Sequence, residues 1–299
     1  MDNESVENNE INISKLIVLL WKKKIFIASS SFLLALIVAI YSLTLPNIYR
    51  SEATIAQSSS TNLMSGQNSS FSSLGGLVGL SSSGGRVKVN EGIEILKSYD
   101  FFVELDEKYQ ISHIVYAAKG WEMSSDKVVY RSELFNGEEK SWITGKKPTS
   151  QRIFRSFNSQ FKVIENKKNG FLKLTYDHYS PSFARDTLNK IILLINEKSK
   201  EKAVNEAQIS INYLQNQLEN TSLAPMQNAL SNLIEKQLEI MMVSKSTDEY
   251  LFKVLNPPIV SEFKVSPTRS YMTIIAAILG AFLSSFYIVL RNILSKARE

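Results

Sequence analysis

The apolar positions of this chain crowd into two long runs near its ends. Residues 25–45 (IFIASSSFLLALIVAIYSLTL) and 271–290 (YMTIIAAILGAFLSSFYIVL) contain no charged side chain. At 1.5 Å of rise per residue, a helix of 21 residues measures about 31 Å, the thickness of a bilayer's hydrocarbon core. The pattern predicts two transmembrane helices. The first run is longer than the apolar core of a secretory signal. Leu43-Thr44-Leu45-Pro46 also lacks the small residues of a cleavage site, so the run reads as an uncleaved anchor.

Between the runs the periodicity changes several times. Ile11 to Trp21 is apolar and precedes three lysines, which suggests an interfacial helix with Trp21 at headgroup level. Loose alternation predicts a strand over residues 49–57, followed by a Ser/Gly-rich loop over 58–85. Residues 89–109 carry Ile93, Leu96, Phe101, Phe102 and Leu105 at the spacing of two short helices. Residues 161–165 and 171–176 read as strands flanking the hairpin signal Asn169-Gly170.

The longest periodic stretch opens at Ser180-Pro181, an N-cap followed by proline at the first helical position. Ala184, Leu188, Ile191, Ile192 and Ile195 mark its first apolar face. Beyond a charged patch (197–202), Val204, Ala207, Ile211, Leu214 and Leu218 form a heptad-like seam suited to packing along another helix, in this chain or in a second copy. Pro225 restarts a helix to about Lys245, with Leu230, Leu233, Ile234, Leu238 and Met241 apolar, which suggests an antiparallel hairpin. A strand over 250–255 follows, and Pro257, Pro258 and Pro267 impose an extended lead into the second span.

The expected fold is therefore α+β: two transmembrane helices flank a mixed α/β base domain that carries a long α-helical hairpin. The boundaries are 1–24 (interfacial segment), 25–45 (first span), 46–270 (exported domain), 271–290 (second span) and 291–299 (tail). Within the exported domain the base takes about 46–179 and 246–270, and the hairpin about 180–245. Small residues recur four apart in both spans, at Ser31, Ala35 and Ala39 and at Ala276, Gly280 and Ser284. Such stripes let helix backbones approach closely in lipid, and the two are expected to face each other.

Charge fixes the orientation. Lys15, Lys22, Lys23 and Lys24 precede the first span, and Arg291, Lys296 and Arg298 follow the second. The opposite flanks hold Arg50, Lys264 and Arg269. Lysine and arginine stay inside, so both termini are expected in the cytoplasm and the middle region outside it. The net charge of +5 leaves the middle region nearly neutral, because the first 24 residues sum to zero and the last nine to +2. That gives no support to nucleic-acid binding. With no cysteine there is no disulfide and no thiolate metal site.

A search for catalytic chemistry ends without a candidate. The two histidines, His113 and His178, lack partners at metal or triad spacing. Gly145-Lys146-Lys147 fails as a phosphate loop, because lysine stands at 140 and at 147 where glycine and Ser/Thr are required. Tyr116, Trp121, Tyr130 and Trp142 could serve as sugar platforms, although ordinary core packing is the stronger reading of these aromatics. No catalytic, cofactor or metal site is expected, and the chain reads as a non-enzyme.

The layout as a whole resembles the Wzz-type chain-length determinants, the polysaccharide co-polymerases of bacterial inner membranes. The entry Tyr49-Arg50-Ser51-Glu52, the helix start at 94–101, and Gly170–Thr175 leading to Ser180–Ala184 are similar to that family's. So is the exit, with Pro257, Pro258, Ser266-Pro267, Arg269 and Gly280. Thr268 replaces the family's lysine, and Ser284 stands where another glycine is common. The chain runs nine residues past Leu290, which resembles the kinase-free members.

The resemblance implies a homo-oligomeric ring or bell in the bacterial inner membrane, with its main domain in the periplasm and no cofactor. It would act with an O-antigen polymerase on lipid-linked polysaccharide to set chain length. A polysaccharide export adaptor and a two-span membrane sensor are the alternatives.

Overall fold

The structure is a computed structural model that describes residues 19–58 and 84–296 of the 299. It divides into two compact units, Met1–Asn47 with Val265–Glu299, and Ile48–Lys264. In chain order the elements are α1 (Lys24–Thr44), β1 (Ile48–Gln57), α2 (Gly84–Lys97), α3 (Tyr99–Tyr109), α4 (Ser112–Ala117), β2 (Ala118–Glu122), β3 (Lys127–Tyr130), β4 (Phe135–Asn136), β5 (Ser141–Trp142) and α5 (Ser150–Gln160). They continue with β6 (Phe161–Glu165), β7 (Leu172–His178), α6 (Pro181–Glu219), α7 (Ala224–Ser246), β8 (Phe252–Asn256), β9 (Lys264–Ser266) and α8 (Arg269–Lys296). This is an α+β chain.

The main sheet of the larger unit runs β6–β7–β1–β8. β1 pairs antiparallel with β7 in a register that sets Ser51 opposite Tyr176, Ala53 opposite Leu174 and Ile55 opposite Leu172. Side chains alternate across a strand, so these residues share one face, and all six are buried. The other face carries charge: Arg50 holds Asp177 through two bonds of 2.6 and 2.7 Å, and Lys173 pairs with Glu52 at 2.7 Å. The β6–β7 hairpin turns through Asn166–Phe171, with Gly170 at a φ of 70° that side-chain-bearing residues rarely adopt. The second strand starts at Leu172, one residue later than expected, and continues to His178.

α6 starts where expected because Ser180 caps it. Its hydroxyl accepts the Phe183 N–H at 3.2 Å, and Pro181 fills the first turn. The charged patch does not interrupt the helix, which stays continuous for 39 residues, about 58 Å at 1.5 Å per residue. Ala184, Leu188, Ile191 and Ile195 are buried together with the sheet residues, with Phe101, Phe102 and Leu105 of α3 and with Phe157 of α5. At this contact 25 cal/mol per Å² of buried apolar surface is the dominant stabilising term.

Several elements depart from the expectation. Gly84 and Gly85 begin α2 instead of ending a loop, at a helix start where a glycine costs little; residues 59–83 of the expected loop lie outside the described residues. The hairpins β2–β3 and β4–β5 and the helix α5 were not foreseen. α8 runs six residues beyond Leu290, because Arg291–Lys296 contains no helix breaker. Residues 11–18 of the expected interfacial helix also lie outside the described residues; Leu19–Lys22 are helical and Trp21 is exposed.

Candidate functional site

Three groups of residues are candidates: the stripes of the two apolar helices, the seam of the long hairpin, and the aromatic and histidine positions. In the smaller unit α1 and α8 pack along each other. Each is long and apolar enough to cross a membrane, and they are the two such helices among the described residues. The Ser31 hydroxyl of α1 donates to the Ala277 carbonyl of α8 at 2.6 Å. A Cβ built on Gly280 would stand 2.8 Å from the Ser31 Cα, so the two backbones approach at a distance that admits only glycine. Ala276 and Ser284 are buried on α8, while Ala35 and Ala39 are half-buried on α1. Most of the larger apolar side chains on both helices, such as Phe32, Leu33, Ile278 and Phe282, point outward and are exposed, the arrangement expected where the surroundings are lipid.

The proline-bearing segment links β8 to α8. Ser51 on β1 donates its hydroxyl to the Ile259 carbonyl at 2.9 Å and so ties this segment to the sheet. Pro258 and Pro267 are buried, while Pro257 and Ser266 are exposed. Arg269, in the first turn of α8, donates to Asn47 at 3.3 Å.

The outer half of α6 is packed by α7, which returns after a turn over residues 220–223. Ala207 and Ile211 are buried there, with Val204, Leu214 and Leu218 half-buried. The seam is therefore used within the chain. α7 turns Leu230, Ile234 and Met241 inward in part but leaves Leu233 and Leu238 exposed, although all five share the apolar pattern. Between the two halves, the charged patch of α6 meets α2 and α3 through ion pairs: Lys198 with Glu104, Lys202 with Glu91, and Glu197 with Lys108. A shallow cleft of about 500 Å³ opens beside this patch, lined by Glu197, Lys200, Glu201, Val204, Asn205 and Gln208.

One residue of α6 was missed by sequence reasoning. Asn196 is buried at the end of the first apolar face. Its Oδ1 accepts the N–H groups of Leu251 (2.9 Å) and Phe252 (2.8 Å), and its Nδ2 donates to the Phe252 carbonyl at 2.9 Å. Asn196 thus terminates the helix face and starts β8. A polar residue directly after Ile195 in an apolar stripe was the available signal.

The aromatic positions take part in packing contacts, Tyr130 against Phe135 among them. Trp121 packs edge-on to Tyr49, and Trp142 packs edge-on to Phe135, which stacks in turn on His113. Tyr116 lies beneath the Arg131 guanidinium. Both histidines are structural in placement. Burial lowers the His113 pKa. His178 is buried between Tyr176 and Phe183, and burial pushes its pKa down to about 4. Its Nδ1 accepts the Ser180 N–H at 3.0 Å, so the neutral ring helps hold the first turn of α6. Among the described residues no group of three or more His, Asp or Glu side chains is placed to hold a metal.

Comparison with known proteins bears on these elements. The model of the chain length determinant protein family, Wzz, matches residues 9–108. A solved full-length bacterial polysaccharide co-polymerase aligns over 95% of this chain and 99% of its own, with 14% sequence identity and a TM-score of 0.41. None of the curated proteins matches. The stretch that matches the Wzz chain length determinant model, residues 9–108, includes α1, β1, α2 and nearly all of α3.

Proposed function

We propose that this Wzz-type chain is a non-enzymatic regulator of surface polysaccharide length in a bacterial inner membrane. It acts on the O-antigen of lipopolysaccharide together with a polymerase of the Wzy type. Both termini lie in the cytoplasm, α1 and α8 span the bilayer, and the domain carried between them is periplasmic. Several copies assemble into a ring or bell and organise how long the polymerase extends its lipid-linked glycan.

The observation that carries this reading is the match of the chain length determinant family over residues 9–108. Two features support it. The apolar helices pack through Ser31 and Gly280, as a two-span anchor requires. The hairpin α6–α7 keeps apolar side chains such as Ile209, Tyr213 and Leu233 on its outside, which suits contact with further copies.

Deleting the gene and resolving the surface polysaccharide on a gel tests the proposal. The modal length should be lost and should return when the chain is supplied on a plasmid. An unchanged distribution of lengths would sink it. Loss of all polymer at the surface would instead favour an export adaptor.

A further inference from the structure

The segment that joins β8 to α8 exposes apolar side chains that the sheet does not cover. Ile259 is 68% exposed and Phe263 81%, and Leu255, Val260 and Val265 lie above a third. An exposed phenylalanine of this degree on a water-facing surface loses the favourable transfer of its whole ring. The backbone behind these side chains is nonetheless held. Pro257 and Pro258 restrict it, the Ser51 hydroxyl binds the Ile259 carbonyl at 2.9 Å, and Ser261 closes a local turn onto the Phe263 carbonyl at 2.8 Å. The apolar groups are therefore presented by a fixed loop and not by a loose one.

Chain length limits what can cover them. Arg269, the first residue of α8, follows Phe263 by six positions, and an extended chain spans at most about 3.5 Å per residue, or ~21 Å. The other hold on the segment, Ser51, follows the last residue of α1 by seven positions, a tether of at most about 25 Å. Two independent covalent leads therefore tether the segment to the apolar helices. Phe263 stands between Glu262 and Lys264, and Arg269 opens α8, so the cationic side chains of this lead lie on the α8 side of the ring, where a phosphate-rich interface favours them.

We infer that residues 259–263, led by Phe263, are a membrane-contacting loop that seats the exported domain on the outer leaflet of the bilayer its own helices cross. This inference rests on the proposed membrane-spanning role of α1 and α8. The ring enters the boundary between headgroups and acyl chains, as apolar and aromatic side chains of interfacial segments do.

The absence of cysteine allows a clean test. Single-cysteine variants Phe263→Cys, Leu283→Cys and Leu223→Cys of the full chain are labelled with an environment-sensitive fluorophore and placed in nanodiscs. The lipids carry nitroxide quenchers either near the headgroup or deep in the acyl chains. Leu283 lies in α8 and Leu223 in the turn before α7, so they serve as the deep and the remote reference.

The expected result is a blue shift and loss of emission at 263 with the shallow quencher, deep quenching at 283 and none at 223. Deep quenching at 283 with water-like, unquenched emission at 263 would overturn the loop inference and leave the two-span reading intact. A blue-shifted but unquenched label at 263 would mean that protein covers the loop, and would also overturn it. Quenching at 223 equal to that at 263 would remove the claim of a specific contact. No quenching at 283 would defeat the membrane-spanning reading itself.

Discussion

The two halves of α6 share one unbroken helix but not one source of stability. From Pro181 to Asn196 the helix buries ten residues, among them Leu188, Ile191 and Ile195 at or near zero exposure, against the sheet and its flanking helices. From Glu197 to Glu219 it buries Ala207 and Ile211. The inner half is held by a layered core. Beyond the ion pairs of Glu197, Lys198 and Lys202 with α2 and α3, the outer half packs on α7 and leaves Ile209 and Tyr213 over 60% exposed. A continuous hydrogen-bond ladder does not make a helix stable in water, since most helical stability comes from tertiary packing of one face. The proposed oligomer would supply further cover for the exposed side chains of the outer half.

The largest effect should come from the join between the halves. Asn196→Leu removes the acceptor of the Leu251 and Phe252 N–H groups and strands both in the core, at a cost of about 4 kcal/mol. Urea denaturation followed by Trp121 and Trp142 fluorescence should show the lower midpoint; an unchanged midpoint would mean that Asn196 is not the join.

Next in size is the acid sensitivity of the inner half. The His178 pKa is lowered by burial to about 4 from its ordinary 6.5, so the folded state favours the neutral ring. The stability this contributes is fully present above pH 6.5 and is lost progressively as pH falls to about 4. The total is about 3 kcal/mol at 1.36 kcal/mol per pKa unit. A pH series of denaturation midpoints should show this slope, and His178→Gln should flatten it.

On the outer half, Ile211→Ala should cost about 2 kcal/mol in the assembled state, at the low end for a buried isoleucine because the hairpin has only two layers. Proteolysis of the hairpin should rise while the midpoint of the base domain stays fixed. The smallest effect on the isolated fold belongs to Ile209→Ser with Tyr213→Ser. Exposed side chains change stability by no more than about 0.5 kcal/mol. This double variant should instead reduce the size of the extracted complex.

The same comparison explains what could be read from the sequence. Elements fixed by local signals were legible: the uncharged runs that become α1 and α8, the cap Ser180-Pro181 that opens α6, and the alternation that becomes β1, β6 and β7. Elements fixed by distant partners were not. β2 to β5 are two to five residues long, too short for periodicity to register, and β4 and β5 are held by Phe135 packing on Trp142 and His113. α5 carries its buried face on Ile153 and Phe157 alone, amid polar residues that gave no helical stripe. The role of Asn196 depends on residues 55 and 56 positions away. Among the candidate positions, Ser31 and Gly280 stand out in the sequence because small residues recur four apart in both apolar runs. The seam at Val204–Leu218 was legible as apolar but not as to its partner, because a heptad pattern does not say which helix fills it.

The central claim is that neighbouring copies cover the outer half of the hairpin, and the mass of the complex extracted in nanodiscs tests it most directly. The account predicts a closed assembly of many copies of the 33.8 kDa chain, reduced in size by Ile209→Ser with Tyr213→Ser. A single chain per nanodisc, with a hairpin no more sensitive to protease than the base, would contradict it.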